Sequence, residues 1–168
     1  MVHFPTSELH VEVSRLVRAP RAEVFEAYTD FASIPKWSAQ FSSVKVTNTE
    51  GAKVRIETEG SGRQSGRVSV AELLLYPPET VESESETKFT RTKRVVRFED
   101  VPDGTKVTAI LDVRVKGAWA WFLSPRGREE AQKSAEEGLA SFSRYAEGLL
   151  SQRPTNGSAA DVDAPRSQ

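Results

Sequence analysis

A chain of 168 residues with 38% apolar and 28% charged residues has the length and composition of one folded domain, and its 23 Lys and Arg against 24 Asp and Glu leave a formal net charge of -1. That balance argues against full disorder and against a generally basic nucleic-acid binder. With no cysteine, and with His3 and His10 as the only histidines, disulfides and thiol nucleophiles are excluded, and a His-rich metal site or a His-based triad is hard to build.

No window approaches ~20 uninterrupted apolar residues. The polar start MVHFPTSELH lacks an apolar signal core, so neither a membrane span nor secretion is expected and the chain is placed in the cytoplasm. His10 to Arg18 alternates as a strand, with Val11, Val13 and either Leu16 or Val17 offered to a core. Ala19-Pro20 breaks it, and Pro suits the first turn of the helix that follows from Arg21 to Thr29, where Val24, Phe25 and Tyr28 share a stripe. Asp30 can cap a second short helix ending near Pro35-Lys36-Trp37. Six strands are expected next: Val44 to Thr49, Lys53 to Glu59, Gly66 to Tyr76, Thr80 to Lys88, Phe89 to Glu99 and Lys106 to Lys116. Short turn signals separate them, as antiparallel hairpins require. After the aromatic patch AWAWFL, a helical pattern runs from about Arg126 to Leu150, with Ala131, Ala135, Leu139, Phe142, Tyr145, Ala146 and Leu149 at three- and four-residue steps. From Ser151 to Gln168 there is no aromatic and only Val162 as a large aliphatic residue, too little to offset the entropy of ordering, so residues 1-150 are expected as the domain and 151-168 as a disordered tail.

The stretch APRAEVFEAYTDFASIPKW, with Ala19-Pro20, Val24-Phe25, Asp30, Pro35 and Trp37 so spaced, resembles the N-terminal signature of the START/Bet v 1-like (SRPBCC) superfamily in its bacterial polyketide cyclase/dehydrase-type branch. The resemblance continues through the strands to the last helix. It implies an α+β helix-grip fold: a seven-stranded antiparallel sheet curled around the long C-terminal helix, with a cavity between them closed by the two short helices. It says less about function, because the matching residues mostly build the helix pair and one fold hosts many activities.

Which side chains face that cavity follows from strand parity. In the last strand Val107, Ala109, Leu111, Val113 and Val115 are apolar and Thr108, Asp112, Arg114 and Lys116 polar, so odd positions point inward. A hairpin loop from Val101 to Gly104 pairs Asp100 with Thr105 and sets Phe98, Val96 and Arg94 opposite Val107, Ala109 and Leu111. Across the turn near Lys88-Phe89, Glu86 then faces Arg91 and Glu84 faces Lys93, so opposite charges meet on the outer face. The run Lys88, Arg91, Lys93, Arg94 and Arg97 is thereby read as a solvated face neutralised by Glu82, Glu84, Glu86 and Asp112 rather than as a nucleic-acid patch.

Arg94 is the exception, falling inward where a lone guanidinium would be costly to desolvate. If Pro77-Pro78 is a two-residue turn, Glu72, Ser83 and Arg94 form one row across the inner face. The register slipped by one instead turns Leu73 and Leu75 inward and sets Glu72 beside Glu84, a like-charge contact, so the first register is preferred. The pair would be either a buried ion pair or a polar anchor for a ligand head group. Phe25, Tyr28, Trp37 and Phe41 near the short helices, Val96, Phe98 and Leu111 on the sheet, Trp119 before the last helix, and Leu139 and Phe142 on it complete the candidate ligand site. Each aromatic alone suits core packing, but together they make the large apolar lining of a small-molecule pocket.

The expected partner is a hydrophobic or amphipathic small molecule such as a lipid, isoprenoid, polyketide or aromatic, with no nucleic acid, metal or cofactor. The rival reading, suggested by the family resemblance, is a cyclase, aromatase or dehydratase using Glu72 as general base and Arg94 as enolate stabiliser. A protein-interaction module, as in another branch of the same superfamily, has no specific motif here. His3 and His10 are read as surface residues, and the loosely spaced glycines from Gly60 to Gly66 lie in a hairpin, not in a phosphate loop before a helix.

Overall fold

The computed structural model describes residues 6–116 and 123–152. Strand β1 (Thr6–Val17) is followed by helix α1 (Arg21–Thr29), a 3-10 turn (Phe31–Ser33) and a four-residue helix α2 (Ile34–Trp37). Then come β2 (Phe41–Glu50), β3 (Lys53–Gly60), a 3-10 turn (Gly62–Gln64), β4 (Val68–Tyr76), β5 (Thr80–Glu86), β6 (Thr90–Val101), β7 (Gly104–Lys116) and the long helix α3 (Pro125–Ser151). All strands pair antiparallel in the order β1-β7-β6-β5-β4-β3-β2. This is the helix-grip fold expected from the chain. Trp119 and residues 153–168 of the expected tail lie outside the described residues, and α3 itself runs through Ser151. No helix among the described residues is long and apolar enough to cross a membrane.

Strands β6 and β7 have the inward and outward faces that their alternation predicts. Asp100 pairs with Thr105, Phe98 with Val107, Val96 with Ala109 and Arg94 with Leu111, while Glu86 pairs with Arg91 and Glu84 with Lys93. The hairpin turns tightly because Gly104, at φ 144°, adopts a backbone open to few other residues and leaves no room for a Cβ against the Val17 carbonyl. Next to it the buried Thr105 hydroxyl donates to the Ala19 carbonyl at 2.8 Å, fixing the exit from β1. Val17, rather than Leu16, faces the core: it is fully buried, as are Val24, Val107 and Phe142, with Phe98 at 2%. Helix α3 starts at Pro125 behind Ser124, whose hydroxyl accepts from the Gly127 N–H at 3.2 Å. Its far end is tied to β1 by Ser143, which donates to the Leu16 carbonyl, and to the residue after β1 by Glu147, which accepts from the Arg18 N–H at 2.9 Å. Asp30 makes no side-chain cap; its carbonyl accepts from the Ser33 hydroxyl at 2.7 Å instead.

One register differs from expectation. The β4–β5 connection holds three residues, Pro77, Pro78 and Glu79, between the paired Tyr76 and Thr80, and is closed by the Glu79 N–H donating to the Tyr76 carbonyl at 2.7 Å. The extra residue sets Leu73 opposite Ser83 and Leu75 opposite Val81, so Leu73 and Leu75 pack inward and Glu72 points outward, because a slip of one residue exchanges the faces of a strand. There Glu72 lies 2.9 Å from Lys53, with Arg55 as its direct β3 partner. The like-charge objection to this register fails because β3, on the other side, supplies two cations.

Candidate functional site

The inward stripe of α3 changes character along its length. Ala131, Ser134, Ala135 and Gly138, spaced at three and four residues, present small side chains, whereas Leu139 and Phe142 are large. Over the small half the helix cannot fill the space to the sheet, and a cavity of about 410 Å³ remains between α3, the inner face of β6, β7 and β1, and the segment from α1 to the start of β2. Val96, Leu111 and Val11 form its floor; Tyr28, Trp37 and Phe41 form the wall beneath the short helices. These aromatics interlock with the large end of α3: the Phe142 ring stands 5.1 Å from Tyr28 and 5.2 Å from Trp37, both edge-on, and Tyr28 lies 6.0 Å from Trp37. At the rim, Gln40 Nε2 donates to the Ser134 hydroxyl at 3.1 Å, joining the chain after α2 to α3.

Among the described residues, the polar side chains of this cavity are Arg94 and the uncharged Tyr28, Ser38, Gln40 and Ser134. Arg94 points inward as its register requires, but stays solvent-exposed at the open side, so it never meets the desolvation that a buried partner would have to relieve. The expected Glu72–Arg94 pair does not exist, since the two side chains lie on opposite faces of the sheet and Glu72 is held by Lys53. That hydrogen bond, with the charges of Lys53 and Arg55, pulls the Glu72 carboxyl below its ordinary range. Burial pushes the Tyr28 hydroxyl up, and the nearby positive charge of Arg94 partly opposes the shift. The Trp37 Nε1–H is buried with no acceptor among the described residues, a costly state for a donor unless something else meets it.

Of the thirteen residues named from the sequence, Tyr28, Trp37, Phe41, Arg94, Val96, Leu111, Leu139 and Phe142 line the cavity. Phe41 does so from the first position of β2 rather than from the lid. Phe25 and Phe98 sit one layer deeper in the core, their rings 5.2 Å apart, with Tyr28 packed on Phe98 at 5.5 Å. Ser83 keeps its place beside Arg94 in the sheet but is not part of the lining. Trp119 lies outside the described residues, and Glu72 is removed from the site. The small residues Ala131, Ser134, Ala135 and Gly138 were missed, although the drop in side-chain size along the α3 stripe was a signal for them. Gln40 had no signal, because its position depends on how α2 meets β2.

The fold recurs among solved structures. The protein TTHA0849 from Thermus thermophilus is similar at 18% identity with a TM-score of 0.68, over 86% of this chain and 99% of that one. The di-domain ARO/CYC StfQ from the steffimycin biosynthetic pathway is similar at 10% identity with a TM-score of 0.71, and this chain, over 86% of its length, spans 53% of it. The ZhuI aromatase/cyclase from Streptomyces sp. R1128 is similar at 19% identity with a TM-score of 0.64, over 90% of this chain and 99% of that one. No curated protein matches in sequence. The family model described as polyketide cyclase/dehydrase and lipid transport, however, matches residues 8–147, from the first strand to the last turns of α3, and the chain belongs to that family.

Proposed function

We propose that the protein takes up an apolar or amphipathic small molecule, of the lipid, isoprenoid, polyketide or aromatic kind, into the cavity between sheet and α3. The observation that carries this reading is the cavity of about 410 Å³ under the small-residue half of α3, walled by Tyr28, Trp37 and Phe142. Burial of apolar ligand surface at ~25 cal/mol per Å² supplies the driving force, offset by the cost of association. Membership of a family whose description joins cyclases with lipid transport supports the same use of the cavity.

A cyclase acting here would lack the base assigned to Glu72. Among the described residues, Tyr28 and Arg94 are the ionisable groups lining the cavity, so the binding reading needs fewer groups than the catalytic one. The cavity is tested with the neutral fluorophore N-phenyl-1-naphthylamine and native mass spectrometry of freshly purified protein. One probe per chain, displaced by a co-purified small molecule, is expected. Failure of the probe to bind overturns the reading.

A further inference from the structure

Among the described residues lining the cavity, Arg94 is the one that is charged at neutral pH; no Asp, Glu or Lys lines it. Its neighbours across the inner face are Ser83 on β5 and Leu111 on β7, neither an acid. On the outer face of the same sheet, by contrast, cations meet carboxylates: Arg91 Nε donates to Glu84 at 2.6 Å, Arg114 lies 2.8 Å from Glu8 and Lys53 2.9 Å from Glu72. The inner guanidinium has no such neighbour among the described residues. One further donor belongs to the same lining: the Tyr28 hydroxyl lies close enough to Arg94 to feel its charge.

Resting on the cavity reading above, we infer that the preferred occupant is an amphipathic acid, its apolar body between Phe142, Leu139 and Val96 and its carboxylate on Arg94, with Tyr28 as an auxiliary donor. A carboxylate accepts only, and its two oxygens match the fork of a guanidinium. An amine would set charge against like charge, and an alcohol brings a single weaker acceptor. The apolar body strengthens the pair by displacing water from the open side, where Arg94 is otherwise screened.

Dodecanoate and dodecan-1-ol, which share one chain and differ in the head group, are titrated against bound N-phenyl-1-naphthylamine in the wild type, Arg94→Met, Arg94→Lys and Lys93→Met. The Lys93 variant removes the same charge one residue away on the opposite face. Arg94→Met should weaken dodecanoate by about tenfold or more, on the scale of a charge-assisted hydrogen bond that is partly solvated, and dodecan-1-ol by less than about twofold. Arg94→Lys should keep part of the preference, and Lys93→Met should keep all of it. If the probe binds neither wild type nor variants, the cavity reading fails and this inference with it. If the probe and both lipids bind but Arg94→Met shifts the two lipids equally or not at all, the head-group assignment is overturned and the cavity reading stands. The assignment is equally overturned if Lys93→Met reproduces the Arg94→Met effect, since the preference is then a field of the whole surface.

Discussion

Two halves of one strand face have opposite fates. Val96 and Phe98 on β6 are 2% exposed, while Arg94, next on the same inward parity, is exposed. Parity sends all three to the same side; what differs is the cover. Phe98 lies under Phe25 and Tyr28 of α1, and Val96 forms the cavity floor between Phe98 and Arg94. Arg94 lines the cavity, which the small residues of α3 leave unfilled. The same sheet face is thus a core at one end and a cavity at the other, and the boundary is drawn by side-chain volume on the helix, since interiors tolerate few voids that neighbouring side chains could fill.

The largest effect should come from removing the boundary itself. Phe142 is fully buried, so Phe142→Ala should cost about 3 to 5 kcal/mol, lowering the melting temperature by on the order of 10 °C in a domain of this size. Thermal unfolding followed by circular dichroism checks it, and a loss below about 2 °C would mean that this end is not the packed core described.

Filling the other end should do the reverse. A Cβ at Gly138 meets nothing within 4 Å, so Gly138→Leu should leave the melting temperature unchanged or raised while weakening N-phenyl-1-naphthylamine by about tenfold or more. Gly138→Ala, which adds helix propensity but little volume, should stabilise by roughly 1 kcal/mol and leave most of the binding intact. Equal binding by the leucine variant would show that the probe sits elsewhere.

Smaller effects are expected on the outer face. His10 Nδ1 meets Asp112 at 2.6 Å, and that hydrogen bond raises the His10 pKa, so the folded state favours the protonated ring. Its contribution to stability is fully present below the ordinary histidine pKa and is lost as pH rises through the raised folded value. Urea midpoints taken across about pH 5 to 9 should show this decline, and His10→Gln should flatten it. Least of all is expected from Glu72→Gln. The carboxylate is half-exposed against Lys53 on the convex side, and exposed pairs contribute little, so neither the urea midpoint nor probe binding should change measurably. A loss of binding would return Glu72 to the site.

The sequence by itself determined the element order, the inward parity of β6 and β7 and the pairing of Arg94 with Ser83 and Leu111. Those follow from local alternation and from two hairpins whose turns are short enough to count, and charge pairs such as Glu84 with Lys93 checked the count independently. Tertiary structure alone decided the rest. The β4–β5 register hung on whether Glu79 belongs to the turn, and the like-charge argument against the true register looked to one side of β4 only, whereas Lys53 and Arg55 neutralise Glu72 from the other. The exposure of Arg94 depended on the volume of residues far along the chain on α3, and no periodicity records the distance between a helix and the sheet that it covers. A guanidinium on an inward position is a buried charge where large side chains cover it and an open anchor where a cavity does, and only packing separates the two, because desolvation is a property of what covers a residue and not of the residue itself.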